Sequence, residues 1–290
     1  MRHRSPRTAS WELAIRLRRL REQLGLPLKD VAERLGVSSA FWSAVENDRR
    51  LPSDHRLGEV CEVLAVSGDE SDRLRELSVA ARQPAWWDEY ADLYTDEALR
   101  LFGLEDGATR IRCYEASVVT GLLQTAAYTA ELIERDPANA PATFARRVDL
   151  RQRRQKRLLD RDPPSITAVL SERALHQVVG TQRSLLEQLE YLVMLSDLLG
   201  GALELRIHPF SEPPRGVANA STLVLLSFHD DELLPTMSYY EGVFGSESVA
   251  INDYIELCFE QTFEYSLDRE QSLEMIRERI RVLGRALRPR

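Results

Sequence analysis

The sequence predicts two domains, an all-α head of about five helices over residues 10–83 and a larger mixed α+β domain over 84–290. Three observations predict this. The chain of 290 residues exceeds a single ordinary core, so a small module beside a larger body is the natural division. Apolar residues recur at helical spacing as far as Ala81, whereas beyond Pro84 both helical and strand-type stretches occur. Charge divides the same way: Met1 to Leu57 holds 12 Lys plus Arg against 7 Asp plus Glu, a balance of +5 within a total of −8, leaving −13 on the rest.

In the head, Leu13, Leu17, Leu20 and Leu24 define a first helix over Trp11 to Leu24, with arginines on its other face. Pro27 fits the first turn of a second helix, whose stripe is Leu28, Val31, Ala32 and Leu35 and whose stop is Gly36. Ser38 can cap a third helix, Ser39 to Asn47, which buries Trp42 and Val45 and cannot run past Pro52. Two more helices, Ser53 to Leu64 and Asp69 to Ala81, close the core. Aromatics then cluster at Trp86, Trp87, Tyr90 and Tyr94. Strands are expected at Arg110 to Val119, Ser165 to Ser171, Ala202 to His208, Ser221 to Phe228 and Thr236 to Tyr240. Helices are expected at Thr125 to Arg135, Pro141 to Asp160, Glu172 to Val179, Gln182 to Leu199, Asn252 to Tyr265 and Arg269 to Leu287.

Several function classes are set aside. Apolar runs stay far below the roughly 20 residues of a membrane span, and the basic N-terminus lacks the apolar stretch of a secretory signal, so a cytoplasmic, nucleoid-associated protein is expected. Cys61, Cys113 and Cys258 are read as reduced, mostly buried thiols. His208 and His229, with Glu204, Asp230 or Asp231, lack the tight spacing of a metal site. Ser171, Ser221 and Ser227 lack a GxSxG elbow, and there is no glycine-rich phosphate loop. No enzymatic activity, cofactor or metal is expected. A basic run from Arg146 to Arg157 reads first as a solvated helix face and second as a contact for DNA backbone or an acidic partner.

A steep crossing of two helices needs a small residue where backbones meet and a glycine where the chain turns; Ala32 and Gly36 stand four apart for this, with Val31, Val37, Trp42 and Val45 as the locking contacts. The run VAERLGVSSAFWSAVENDRRLPS resembles the lambda-repressor-like (XRE-type) helix-turn-helix family over about 65 residues. The resemblance implies a DNA-binding transcriptional regulator whose third helix enters the major groove. Ser39, Ala40, Ser43 and Ala44 match the base-contacting positions, and Lys29, Arg34, Asn47, Arg49 and Arg50 are the phosphate candidates. Serine discriminates bases poorly and alanine offers only a methyl contact to thymine, so readout should lean on DNA shape. Three departures stand out. Pro27 and Leu28 occupy the place of a Ser cap and a phosphate-binding Gln; Asp48 stands where glycine would adopt a left-handed conformation; and Glu46 opposes the helix dipole unless Arg34 or Arg56 pairs with it.

The stretch YEASVVTGLLQTAAYTAELI, with WWDEY before it and SERALHQVVG, SYYEG and SLDREQSLEMI after it, is similar to the C-terminal domain of actinobacterial WhiJ-type regulators over roughly Pro84 to Leu283. The resemblance implies a developmental or antibiotic-production regulator, in some cases the antitoxin-like half of a pair with a small protein encoded nearby. Ligand or partner candidates are Trp86, Trp87, Tyr90, Tyr114 and Glu115. Double-stranded DNA carrying an inverted repeat is the expected partner, bound by a homodimer whose half-sites lie about one helical turn, roughly 34 Å, apart. The effector is unspecified. A protein–protein adaptor with a helix-turn-helix that no longer binds DNA is the alternative.

Overall fold

Five helices form the head of the computed structural model, which describes residues 3–137, 139–219, 222–229, 233–242 and 245–288. They are α1 (Pro6–Gln23), α2 (Leu28–Arg34), α3 (Ser39–Glu46), α4 (Asp54–Val63) and α5 (Gly68–Ala81). Leu13, Leu17, Val31, Trp42, Val60 and Leu74 meet in their common core. Serine side chains cap three of the helices: Ser5, Ser38 and Ser53 accept from the backbone amides of Thr8, Phe41 and Arg56. Gly36, at φ 62°, lets the chain leave α2 in the left-handed conformation that a β-carbon would oppose.

The second domain runs α6 (Asp96–Gly107), β1 (Arg110–Glu115), α7 (Ala126–Arg135), α8 (Phe144–Lys156), β2 (Ser165–Ser171), α9 (Arg173–His176), α10 (Gln182–Leu199), β3 (Leu203–His208), β4 (Thr222–Ser227), β5 (Met237–Gly242), β6 (Gly245–Ala250), α11 (Asp253–Glu264) and α12 (Arg269–Ala286). The six strands form one sheet in the order β3-β2-β1-β4-β5-β6. β1, β2 and β3 are parallel, and β4 to β6 join antiparallel, giving the mixed α+β architecture that the sequence predicts.

Strand alternation sorts the side chains. Cys113, Ala168 and Leu205 lie in one cross-strand row and join the main core with the leucines of α10 and α12. Tyr114, Val169 and Leu223 point the other way and pack with Phe259 of α11. Arg112 shares that second face, where its guanidinium pairs with Glu256 and Glu260 and lies 5.3 Å from the centre of the Phe259 ring. α11 is thereby fixed across the sheet by both charge and apolar contact.

Five elements differ from the sequence expectation. α1 starts at Pro6 rather than Trp11, because Ser5 caps it and the buried residues of the added turn, Thr8 and Ala9, are too small and too polar to mark a helical stripe. α6 is new: Gly103 and Gly107 mask a helix that Thr95 caps. β6 is also new, its Gly-Ser-Glu-Ser start carrying no apolar alternation. β1 ends at Glu115, not Val119, and α9 is a single turn.

Head and body are packed together through α1 and α6. The Ser5 hydroxyl donates to the Gly103 carbonyl. A β-carbon on Gly107 would lie 2.4 Å from Thr8 Cγ2, and one on Gly103 would lie 2.6 Å from Arg7 Cβ, so the two glycines admit the close approach. The Trp11 ring meets Phe228 edge to face at 5.3 Å.

Candidate functional site

α3 is held from beneath and open above. Trp42, Val45 and Glu46 are buried, while Ser39 and Ala40 are exposed and Ser43 and Ala44 half-exposed. Helical spacing puts Ser39, Ser43 and Asn47 in one row and Ala40 and Ala44 in the next, so these positions share the face turned away from the core. Lys29 and Arg34 on α2, and Arg49 and Arg50 beyond α3, are all exposed. The Arg50 guanidinium lies 4.8 Å from the centre of the Phe41 ring, which directs it alongside α3. Asn47 is engaged with its own helix: its amide donates to the Ser43 carbonyl at 2.7 Å, and its side-chain oxygen accepts from Arg18 at 2.6 Å.

Glu46 is paired, but not by Arg34 or Arg56. Arg21 donates two hydrogen bonds to its carboxylate at 2.6 and 2.8 Å, and Arg18 donates to the Glu46 carbonyl at 3.0 Å. The reason is direction: Glu46 turns inward toward α1, which presents Arg18 and Arg21 one turn apart. Arg56 instead donates to the Leu35 carbonyl at 2.6 Å and pairs with Glu59 at 2.7 Å.

Asp48 does take the left-handed conformation, at φ 55°. Its side chain repays part of that cost through the Ser10 hydroxyl at 2.5 Å and the Arg7 guanidinium at 2.6 Å. Burial pushes the Asp48 carboxyl above its ordinary value, against the pull of Arg7, Ser10 and Arg100. Arg100 belongs to α6, so the chain leaving α3 sits between charges from α1 and from the second domain.

The aromatic segment and the basic run, expected separately, are one structure. Trp87 and Tyr90 are buried with Phe102 and Leu150, and the half-buried Trp86 packs edge to face on both. α8 lays its arginines over these rings: Arg147 is 4.7 Å from the centre of Tyr94 and Arg154 is 5.0 Å from that of Phe102. The same helix answers the acids of this segment, with Arg146 on Asp92 at 2.7 Å, Arg153 on Glu89, and Arg154 holding both oxygens of Glu105 at 2.8 Å. Arg146 and Lys156 of the basic run remain exposed, but Arg146, Arg147, Arg153 and Arg154 are engaged by acids, carbonyls and rings of the chain itself. Burial and the Asp149 carboxylate push the Tyr90 phenol up to about 12.

A cleft of about 700 Å³ opens between α6, α8 and the β1–β4–β5 part of the sheet. Its wall is the segment after β1, including Val118, Thr120, Gly121 and Gln124. Of the five ligand or partner candidates, only Glu115 lines it. Glu115 lies in the core-facing cross-strand row beside Leu170 and Ile207 and accepts from the Thr222 hydroxyl at 2.7 Å. Glu105, which the sequence reading does not single out, also lines this cleft, and so do Arg151 and Arg154 of the basic run, for which the sequence offers a solvated face or an anionic contact rather than a cleft wall.

The two histidines do not converge. β2 and β1 stand between β3 and β4, and His208 and His229 follow opposite ends of the sheet. Burial lowers the basicity of His208. Asp230, Asp231 and Ser221 lie outside the described residues. Among the described residues, no helix is long and apolar enough to cross a membrane.

Comparison with known families places a helix-turn-helix domain at residues 12–74, which makes the head that of a DNA-binding regulator. A second family model, described as a domain of unknown function, DUF5753, matches residues 99–278. No curated protein and no solved structure matches the chain. With most of its length in the second match and the first preceding it, the chain belongs to the DUF5753 family and carries an N-terminal helix-turn-helix domain.

Proposed function

We propose that the protein is a sequence-specific transcriptional regulator that binds an inverted-repeat operator as a homodimer and acts by binding rather than by catalysis. The observation that supports it is the outer face of α3, where Ser39, Ala40, Ser43 and Ala44 are accessible beside the exposed Arg49 and Arg50. One such helix reads only a few base pairs, so twofold pairing supplies the remaining specificity. The second domain is the signal-receiving part, responding to a small molecule or to a small, antitoxin-system-like protein partner encoded nearby. Either must bind the DNA-competent and incompetent states unequally to act.

Genome-wide mapping of bound DNA, followed by mobility-shift titration of the enriched sequence at physiological salt, tests the proposal. The enriched sequence should bind at least 1000-fold more tightly than random DNA, in line with specific regulators. Equal affinity for both would leave the adaptor reading in its place.

A further inference from the structure

The cleft beside α6 has the size and the chemistry of a small-molecule site, and its lining restricts what fits. Its volume, about 700 Å³, falls within the range of roughly 300–1,000 Å³ common for such sites. Three carboxylates, Glu105, Glu115 and Asp136, face it together with three guanidiniums, Arg147, Arg151 and Arg154. Formal charge therefore cancels. Between them lie apolar surfaces from Leu101, Phe102, Val118, Leu132 and Val224.

Glu115 is the most telling residue. Its neighbours in the same sheet row are Leu170 and Ile207, both fully buried core residues, so an apolar side chain here would extend the core. The position instead holds a carboxylate, and the cross-strand position holds Thr222, whose hydroxyl bonds to it. Burying such a pair costs stability to the extent that hydrogen bonds do not offset its desolvation, and a few polar groups set among apolar ones are what orients a bound small molecule.

We infer that this cleft binds an amphipathic small molecule of no net charge, with its apolar part against Phe102 and Val118 and its polar groups at Glu115 and Thr222. A polyanion such as a nucleotide would meet three carboxylates, and a polycation would meet three guanidiniums. α6 borders the cleft with Leu101, Phe102 and Glu105, and it contacts α1 with Gly103 and Gly107 on its other side. Occupancy is thus one helix away from the head. That the occupant is an effector rests on the regulatory reading above; that the cleft is a binding site does not.

The test is a fluorescence titration of the full-length native protein with Nile red, an uncharged amphipathic dye, and with anionic 8-anilinonaphthalene-1-sulfonate. Nile red should fill one saturable site, with the anionic dye at least tenfold weaker. Val118→Trp and Ala98→Trp, which would fill the cleft from the segment after β1 and from α6, should each weaken Nile red at least tenfold. Glu115→Gln, which changes charge but hardly volume, should raise the ratio of anionic to neutral affinity at least fivefold. It gives a result even if both tryptophan variants fail to fold. Equal affinity for the two dyes, a saturable site untouched in a folded tryptophan variant, or an unchanged ratio in Glu115→Gln would overturn the assignment. Dye binding as described in a protein that binds no DNA would support the cleft and remove the regulatory reading alone.

Discussion

Asp48 Oδ2 lies 2.6 Å from Nη2 of Arg7, so the turn that follows α3 is held by the helix that carries the head onto the body. The Asp48 side chain is only 6% exposed, so removing its partner leaves a poorly solvated carboxylate. Arg7→Ala should cost about 2 kcal/mol of stability, below the usual penalty for a fully buried pair because Arg7 itself is partly solvated. Asp48→Gly removes the buried charge and also the left-handed strain of about 1 kcal/mol, so it should cost less than Arg7→Ala. Urea denaturation followed by tryptophan fluorescence checks the order. A larger loss in Asp48→Gly would mean that the carboxylate's contacts outweigh its burial.

The two glycines of α6 make a second prediction. Gly107→Ala places a β-carbon against Thr8 and should cost 1–3 kcal/mol, the usual scale for overpacking. Gly58→Ala, in a helix with open space around it and an ordinary φ, should instead stabilise by up to about 1 kcal/mol. Thermal melts of the two variants separate a packing effect from a general effect of alanine; equal shifts would show that α1 and α6 are not closely packed in solution.

On DNA, Arg49→Ala and Arg50→Ala should weaken binding to all sequences alike, by several-fold each, and flatten the dependence on salt. Ser39→Ala and Ala44→Ser should instead change which bases are preferred. Binding-site selection with each variant, with titrations at two salt concentrations, distinguishes these roles. An altered base preference in Arg50→Ala would move that residue from the backbone to the groove.

Acid sensitivity should divide between two carboxylates of the head. Burial works to raise the Glu12 carboxyl, but Arg4, Arg73 and Arg16 overcome it and hold it below 4.5. Glu12 therefore contributes stability that is complete above pH 4.5 and is lost as pH falls through its depressed folded value. Asp48 has the opposite sign: its folded value lies above 3.8, so the native state binds the extra proton and stability declines as pH rises through that window. Glu12→Gln should flatten the rise of stability with pH below 4.5, and Asp48→Asn should steepen it. Denaturation midpoints from pH 3 to 5 measure both slopes, and parallel curves for all three proteins would contradict the assignment.

The head was legible because its signals are local. Gly36, Ser38, Trp42 and Val45 fix a turn, a cap and a buried stripe within ten residues, and α2 to α5 fall within a residue or two of their expected places. What eluded the sequence depends on contacts between distant segments. Glu46 was seen to need a cation, but the choice of Arg21 over Arg34 follows from the packing of α3 on α1. α6 went unseen because the glycines that weaken a helix locally are the residues that let α1 approach it. The arginines of α8 looked like a surface until the acids and rings of residues 86–105 were laid beneath them. Tyr114 and Glu115, adjacent in the chain and equally attractive as candidates, are separated by the pleat onto opposite faces.

The shared helix α1 bears on how such proteins can diversify. A head whose first turn packs closely on another domain's glycines is not a free cassette. A recombination joint placed just before Trp11 would strip away Ser5 and Thr8, together with Arg7, the partner of Asp48. On the proposed reading of α3, exchange of DNA specificity between such chains would then be confined to substitutions on its outer face, or to transfers that carry α1 and α6 as a matched pair.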